Sequence, residues 1–257
     1  MKKRQIVGWA AEDAAEAREI VLKIVPAGAV VGTGDSSSVR QIGMVEALEA
    51  RGNRVINGFA LPDRVTDIQS LFDRAFWPML QATLCDVFLT GSNSLTEDGR
   101  LVNVDGVGNR VAGMFWGHPL SVLVVGRNKI VKDLDEALDR VKNVIAPEHV
   151  RRKGAPTPCV KSGRCHDCVG PTRVCAVTTI IERRPAHTDL HVVVVDEDLG
   201  LGWDRSWPEE RIRSIAARHE EFMSLCPLPV CALEPGSSER LWEMAKTKGS
   251  RVRQGQA

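Results

Sequence analysis

The chain alternates apolar strand-like segments with amphipathic segments of helical spacing, and this alternation constrains its fold more than any other feature. The segments "DVFLTG", "LSVLVVG" and "DLHVVVVDEDLGLG" have the apolar character of buried strands. Helical spacing of apolar residues occurs in three segments, Glu12 to Val25, Val39 to Ala50 and Asp133 to Ile145. Strands that alternate with helices form a largely parallel sheet. We therefore expect an α/β fold with a Rossmann-like, mostly parallel sheet flanked by helices.

Weaker signals complete the expected organisation. Short strands are predicted at "AVVGTG", Arg54 to Ile56, "RLVNV" and the buried-looking "VTTIIERRP", with a further helix from Phe72 to Ala82. We expect one α/β domain over residues 1–207, including an inserted Cys-rich loop at 147–176. Residues 208–257 are expected to form a helical extension (Glu209–Leu225) that ends in a basic, disordered tail, "KTKGSRVRQGQA".

Charge and hydropathy exclude several classes of protein. The chain carries 34 Lys and Arg residues against 33 Asp and Glu residues, so it lacks the basic excess of a nucleic-acid-binding protein. Its N-terminal segment interleaves apolar with acidic residues, unlike a secretory signal. No apolar run reaches the roughly 18 residues of a membrane-spanning helix. We therefore expect a cytoplasmic protein without a membrane span, and a homo-oligomer is compatible with the sequence.

Four cysteines fall within the segment "PCVKSGRCHDCVGPTRVC". In a cytosolic protein thiols stay reduced, so disulfides are the weakest interpretation of Cys159, Cys165, Cys168 and Cys175. Four thiolates suffice for a tetrahedral zinc site or a 4Fe-4S iron–sulfur cluster. A single C-x2-C pair with isolated thiols on either side favours the cluster over zinc, and unligated thiols remain an alternative. The other three cysteines, Cys85, Cys226 and Cys231, are expected to serve packing.

Two loops are candidate ligand-binding segments. In "VVGTGDSSS", a Gly-rich turn between a strand and a helix can present backbone N–H groups to an anion. The alternative is an ordinary strand-to-helix turn with Asp35 or Ser36 as the N-cap. The candidate residues of this turn are Gly32, Thr33, Gly34, Asp35, Ser36 and Ser37.

The second candidate segment, Thr90 to Arg110, is polar and Gly-rich and lies between two strongly apolar strands. Open α/β sheets bind ligands at the carboxyl ends of their strands. The proposed ligand-binding residues here are Gly91, Ser92, Asn93, Asn103, Asn109 and Arg110, and the candidate catalytic residues are Glu97, Asp98, Asp105 and Lys129. Lys129 would meet a carboxylate or phosphate as a point charge. Its alternative is a solvated lysine at a helix start, and a plain hairpin would explain the Asp98-Gly99 and Asp105-Gly106 turns.

The segments "LTGSNSLTEDGRLVNVDGVGNRVAGMFWG", "VLVVGRNKIVKDLDEALDRVKNVIAPEHVRR" and "TPCVKSGRCHDC", with "RVC" after it, resemble the lactate-utilisation (LUD) domain proteins, formerly grouped with lactate utilisation protein C. The resemblance covers at least Ala29 to Leu201. It implies the fold shared by ribose-5-phosphate isomerase, glucosamine-6-phosphate deaminase and CoA transferases. It also implies an association with the oxidation of lactate to pyruvate, beside iron–sulfur partner proteins.

A second, more distant resemblance to an enzyme family differs from that family at a catalytic residue. Gly91-Ser92-Asn93, with Asp98-Gly99 and Asn103, is similar to a motif of the methylthioribose-1-phosphate isomerase branch of this fold, which uses an Asp for proton transfer. Here that position is Asn93, which has no proton to exchange near neutral pH. Isomerase chemistry by that route would need Glu97, Asp98 or Asp105 in place of the missing Asp, whereas anion binding survives the change.

Three functions are compatible with these features. The first is binding of a small anionic metabolite beside a Cys-ligated iron–sulfur cluster, with oxidation of lactate or a related hydroxy acid. The sequence lacks a nucleotide-cofactor fingerprint, so electrons would pass to the cluster or to an iron–sulfur electron-transfer partner. The second is an isomerase, lyase or transferase acting on a phosphorylated or CoA-linked substrate, with a structural metal. The third is a non-enzymatic accessory subunit whose four-Cys loop docks to a partner.

Overall fold

The computed structural model describes residues 1–59, 67–170, 172–224 and 236–253. Its strands are β1 (Val7–Ala11), β2 (Val31–Thr33), β3 (Val55–Ile56), β4 (Val87–Gly91), β5 (Ser94–Thr96), β6 (Leu101–Asp105), β7 (Leu120–Gly126), β8 (Ile130–Val131), β9 (Val177–Ile181) and β10 (Asp189–Val195). Six of them form a parallel sheet in the order β1-β10-β7-β4-β2-β3. The expected Rossmann-like α/β fold is confirmed.

A second, four-stranded sheet has the order β8-β5-β6-β9. Strands β5 and β6 form an antiparallel hairpin that turns at Asp98-Gly99, where Gly99 has a φ of 92° that favours glycine. Strand β9 pairs antiparallel with β6 at the edge of this sheet. The expectation that "VTTIIERRP" is buried is wrong, since Val177 and Ile180 are more than one-third exposed. An edge strand with one open face keeps such side chains in contact with solvent.

The helices are α1 (Ala14–Ile24), α2 (Ser37–Gln41), α3 (Met44–Ala50), α4 (Ile68–Leu71), α5 (Trp77–Ala82), α6 (Asn109–Phe115), α7 (Leu134–Arg140), α8 (Ala146–Arg152), α9 (Pro158–Ser162), α10 (Glu209–Glu221) and α11 (Ser237–Arg253). π-helical turns at Phe72–Phe76 and Val141–Ile145 join α4 to α5 and α7 to α8. Short 3-10 turns cover Lys2–Arg4 and Arg127–Lys129. Within the described ranges, no helix is both long enough and apolar enough to cross a bilayer.

Several helix boundaries differ from the sequence-based expectation. The helix expected over Val39 to Ala50 is divided at Gly43, whose φ of 64° is left-handed. The helix expected to end at Ile145 continues to Arg152, because Pro147 lies in the first turn of α8, where a missing N–H costs little. Residues 147–152 are therefore helical and do not begin the Cys-rich loop.

The C-terminal segment is also more ordered than expected. Helix α10 ends at Glu221, and α11 runs to Arg253, so the expectation of a disordered basic tail is wrong for the part of that segment that the structure describes. Leu241 and Ala245 of α11 pack against Leu71, Phe72 and Ala75, and this contact supplies the burial that orders the helix. The end of the tail, 254–257, and the predicted packing cysteines Cys226 and Cys231 lie outside the described residues.

The core occupies both faces of the parallel sheet. Val122 and Val124 of β7 face a cluster that includes α1 and α3, whereas Leu123 and Val125 face the β5–β6 hairpin and α6. This alternation follows from the two-residue period of a strand. The chain leaves β2 towards the edge strand β3 and then returns to place β4 on the other side of β2. The carboxyl ends of β2 and β4 therefore form a topological switch point, the usual place for a ligand crevice in such sheets.

Candidate ligand-binding site

A cavity of about 590 Å³ opens beside the carboxyl ends of β2, β4 and β7. Its polar wall comes from the segments that follow these strands, together with α6, α8 and α10, and includes Asp35, Ser36, Ser37, Arg40, Gly91, Ser92, Asn93, Asp105, Asn109, Arg110, Lys129, His149, Lys153, His219 and Ser224. Its apolar wall includes Phe59, Phe76, Met79, Val141, Ile145, Leu201, Met223, Leu241 and Trp242. The cavity has the size and the mixed lining of a small-molecule site.

Arg110, on the first turn of α6, is held in one orientation by its neighbours. Its guanidinium donates from Nη1 to Asn103 Oδ1 at 2.9 Å and from Nη2 to the Val104 carbonyl at 2.8 Å. It also forms an ion pair with Asp105, with Nε 3.2 Å from Oδ2. Asn93 reinforces the arrangement, because its backbone N–H donates to Asn103 Oδ1 at 2.9 Å. A positioned guanidinium therefore stands at the cavity with part of its charge balanced by Asp105.

Asp105 is engaged on both carboxylate oxygens. Its Oδ1 accepts from the backbone N–H groups of Val107 and Gly108, and its Oδ2 faces Arg110. These contacts fix the turn that leads into α6 and orient the arginine. The structure therefore gives Asp105 a positioning contact, and no contact that would mark it as a proton-transfer group.

Lys129 is a buried cation on the wall of the cavity. It lies in the 3-10 turn after β7 and is only 6% exposed, and its Nζ donates to Ser38 Oγ at 3.0 Å. Burial, with a smaller contribution from the positive charge of Arg110, lowers the pKa of Lys129 to about 7. No carboxylate of the described residues forms an ion pair with it. The alternative of a solvated lysine at a helix start is therefore wrong for Lys129, whereas Lys132 is exposed.

A second charged group ties three elements together at the rim of the cavity. Asp35 accepts from Arg40 Nη2 at 2.9 Å on Oδ1 and from Ser224 Oγ at 2.9 Å on Oδ2, and Lys153 Nζ lies 3.8 Å from Oδ2. Burial alone would raise the pKa of Asp35, but the charges of Lys153 and Arg40 hold it well below the ordinary value. The carboxylate therefore stays ionised and joins the turn after β2 to α8 and to the segment after α10.

Two histidines complete the polar wall. Their ring centroids are 6.4 Å apart. Burial and Lys153 lower the pKa of His149 to about 4, and burial and His149 lower the pKa of His219 to about 3. Both imidazoles are therefore neutral near pH 7. Counting charged side chains, the wall carries the cations Arg40, Arg110, Lys129 and Lys153 against the carboxylates Asp35 and Asp105, so it favours an anion.

Some predicted site residues lie away from the cavity. Glu97 and Asp98 are exposed on the β5–β6 hairpin, where Asp98 pairs with Arg4 and Arg100, so they are not placed to act on a ligand in this cavity. Gly32 serves packing instead, because a Cβ there would come within 2.1 Å of the Ala82 carbonyl oxygen. Thr33, the last residue of β2, and Gly34, which follows it, are likewise buried and outside the lining.

The turn at Asp35 to Ser38 is built differently from an anion-binding Gly-rich loop. Ser36 is the N-cap of α2 and accepts from the Val39 N–H at 3.3 Å, as in the ordinary-turn alternative. Helix α2 is only five residues long. The next two hydroxyls instead contact charged or polar side chains from distant elements, Ser37 with His219 and Ser38 with Lys129.

The Cys-rich loop borders the same cavity. Cys175 lines it, and Arg173 braces the loop by donating to the carbonyls of Cys168 and Cys175, at 2.8 Å each. Burial, together with the nearby Cys159, Cys165 and Cys168, raises the pKa of Cys175 to about 11. In the part of the chain that the structure describes, however, no three His, Cys, Asp or Glu side chains form a group that could hold a metal ion.

Comparison with known proteins decides the family. The family model of the LUD domain matches residues 1–195. The chain belongs to the LUD-domain family. No curated protein matches it. It is also similar to a DUF162 family protein from Deinococcus radiodurans of known crystal structure, at 17% identity over 76% of this chain and 90% of that chain, with a TM-score of 0.39. That TM-score is too low to carry an argument about the site.

The LUD domain alone does not enclose this cavity. The match ends at Val195, whereas His219 and Ser224 of the polar wall and Met223, Leu241 and Trp242 of the apolar wall follow it. Sequence reasoning assigned this segment to a separate extension and therefore missed these residues. It also missed His149 and Lys153, because it ended their helix at Ile145. Their i, i+4 spacing is a signal that a longer helix would have revealed.

Proposed function

We propose that this LUD-domain protein binds a small carboxylate metabolite of the hydroxy-acid class in the cavity. One observation carries the proposal: Lys129 is buried on the cavity wall with Ser38 as its hydrogen-bond partner and without an ion-pair partner among the described residues. A buried cation is costly unless an opposite charge compensates it. A ligand carboxylate beside Nζ would provide that charge.

The other three cations of the polar wall differ from Lys129 because each has a carboxylate partner. Arg110 is half-neutralised by Asp105, and Arg40 and Lys153 share Asp35, so these three bring oriented donors with a smaller net charge. Lys129 therefore supplies the positive charge that attracts the ligand carboxylate, and Arg110 supplies hydrogen-bond donors of fixed orientation. The apolar wall leaves room beyond a molecule as small as lactate. Hydroxy acids with an apolar substituent thus fit the cavity better than lactate itself.

Calorimetric titration with lactate and with its neutral analogue lactamide tests the charge requirement. At pH 7 we expect lactate to bind at least about tenfold more tightly, because a charge-assisted contact contributes about 1.5 kcal/mol or more. Equal affinities would contradict the proposal, and so would inorganic phosphate binding more tightly than lactate, since a phosphate site is the alternative chemistry. The Lys132→Met variant is the matched control and should bind lactate as the wild type does.

We further propose that the four-Cys loop holds an iron–sulfur cluster beside the cavity. The support is the donor chemistry, because four thiols lie in one loop, as many as a four-iron cluster takes as ligands. Cys159, Cys165, Cys168 and Cys175 would be the ligands. When bound, such a cluster would supply electron transfer next to the ligand cavity, and zinc would supply a structural closure of the loop instead.

Anaerobic purification followed by iron, sulfide and zinc analysis tests the cluster. We expect about four irons per chain in the wild type, as a four-Cys site predicts, and loss of most of the iron in Cys165→Ser. The Cys85→Ala variant changes a buried cysteine outside the loop and should retain its iron. One zinc per chain would overturn the cluster but keep the four-Cys site. Neither metal, or unchanged iron in Cys165→Ser, would overturn the ligand assignment.

A further inference from the structure

His219 belongs to the segment that follows the LUD domain, yet it is built into the cavity wall. It lies on α10, is 5% exposed, and its Nδ1 is 3.0 Å from Ser37 Oγ. Its other ring nitrogen, Nε2, is buried and has no hydrogen-bond partner among the described residues. Buried polar atoms are normally paired, so the unpaired nitrogen of this cavity-lining residue is a candidate partner for a ligand atom.

The charge state of the His219 ring determines which kind of ligand atom can pair with Nε2. With a pKa of about 3 the imidazole is neutral near pH 7, so it cannot compensate a carboxylate. If the Ser37 hydroxyl donates to Nδ1, Nε2 carries the proton and donates to the ligand; if Nδ1–H donates to Ser37, Nε2 accepts. A hydroxyl both donates and accepts, so it can pair with either tautomer.

The position of His219 relates this contact to the carboxylate site. Ser37 and Ser38 are consecutive residues of α2, and they hold His219 and Lys129 respectively. Both residues line the cavity, and the positive charge of Lys129 also contributes to lowering the pKa of His219. A ligand with a carboxylate and a hydroxyl on adjacent carbons would offer a partner to each group.

We infer that His219, supplied from outside the LUD domain, is a specificity-determining residue that hydrogen-bonds the hydroxyl of a 2-hydroxy acid whose carboxylate Lys129 holds. The inference rests on the proposed function and adds the part of the chain that selects the ligand. The family domain provides the charge, and the segment after it provides the discrimination between a hydroxy acid and its deoxy analogue.

Binding of lactate and propionate at pH 7, measured by calorimetry, tests the inference, because the two acids differ only in the 2-hydroxyl. We expect the wild type to prefer lactate by about tenfold, the effect of one hydrogen bond to a buried group. In His219→Ala this preference should fall to about one while the affinity for propionate changes little. Retained propionate binding shows that the variant is folded, a readout that a merely structural role of His219 would not give.

The His187→Ala variant, which removes an exposed histidine, is the matched control and should keep the wild-type preference. His219→Gln, whose amide can still pair with a hydroxyl, should keep part of it. Equal binding of both acids by the wild type, or an unchanged preference in His219→Ala, would overturn the inference and leave the carboxylate site standing. Absence of binding of either acid by the wild type would overturn both.

Discussion

Replacement of Lys129 by methionine is expected to stabilise the protein at pH 7 while abolishing carboxylate binding. Burial lowers the pKa of this lysine from 10.5 to about 7, and one pKa unit corresponds to about 1.4 kcal/mol, so the buried charge costs on the order of 4 kcal/mol. Loss of the Ser38 hydrogen bond offsets about 1 kcal/mol of the gain. Urea denaturation should therefore show a free energy of unfolding higher by on the order of 3 kcal/mol.

The stability difference between Lys129→Met and the wild type is expected to change with pH in one direction. Between pH 7 and 10.5 the unfolded chain binds more protons at this lysine than the folded chain, so wild-type stability rises with pH over that window. The advantage of Lys129→Met should accordingly shrink by about 1.4 kcal/mol per pH unit above pH 7. Lys132→Met, at an exposed position, should change stability by less than about 0.5 kcal/mol. A Lys129→Met protein less stable than the wild type at pH 7 would show that the lysine is compensated within the empty protein.

Lactate affinity is expected to fall about tenfold for each pH unit above pH 7. The empty protein has a Lys129 pKa of about 7, and a bound carboxylate raises it, so binding takes up a proton once the lysine is deprotonated. Below pH 7 the lysine is already charged, and the affinity should level off there. Titrations from pH 6 to pH 9 measure the slope, and a flat profile in the wild type would remove Lys129 from the site.

The other titratable groups of the polar wall do not change their charge in this pH window. Arg110 from α6 is paired with Asp105, and Asp35 is paired with Arg40. His149 from α8 and His219 from α10 have pKa values of about 4 and about 3, so both are already neutral at pH 6. Lactate is a carboxylate throughout the window. We therefore attribute the expected slope to Lys129 alone.

The parallel sheet was predictable because its central strands are continuous apolar runs, as in Val87–Gly91 and Leu120–Gly126. The loops after parallel strands share one edge of a sheet, so the proximity of Asp35, Asn93 and Lys129 followed from the topology. Strand β1 was missed, because four of its five residues are exposed and "VGWAA" has no alternating pattern. Propensity alone does not reveal such an edge strand.

The rest of the site depends on packing that no local pattern encodes. His219 meets Ser37 across 182 positions of the chain, through the docking of α10 onto the domain. The exposed position of Glu97 and Asp98 likewise depends on how the β5–β6 hairpin packs, with Arg4 from the N-terminus binding Asp98. Both facts depend on contacts between elements that are distant in the chain, and the local sequence around each residue does not predict such contacts. Residue chemistry could therefore nominate Arg110 and Lys129 but could not tell which of the two has no carboxylate partner among the described residues.

Proton uptake on lactate binding tests the central claim most directly. Calorimetry at pH 8 in two buffers of different ionisation enthalpy measures it without reference to any substitution. With Lys129 mostly deprotonated in the empty protein and protonated in the complex, the account predicts uptake approaching one proton per lactate bound. Lactate binding with no proton uptake at pH 8 would contradict it, because the buried lysine would then not be the group that meets the carboxylate.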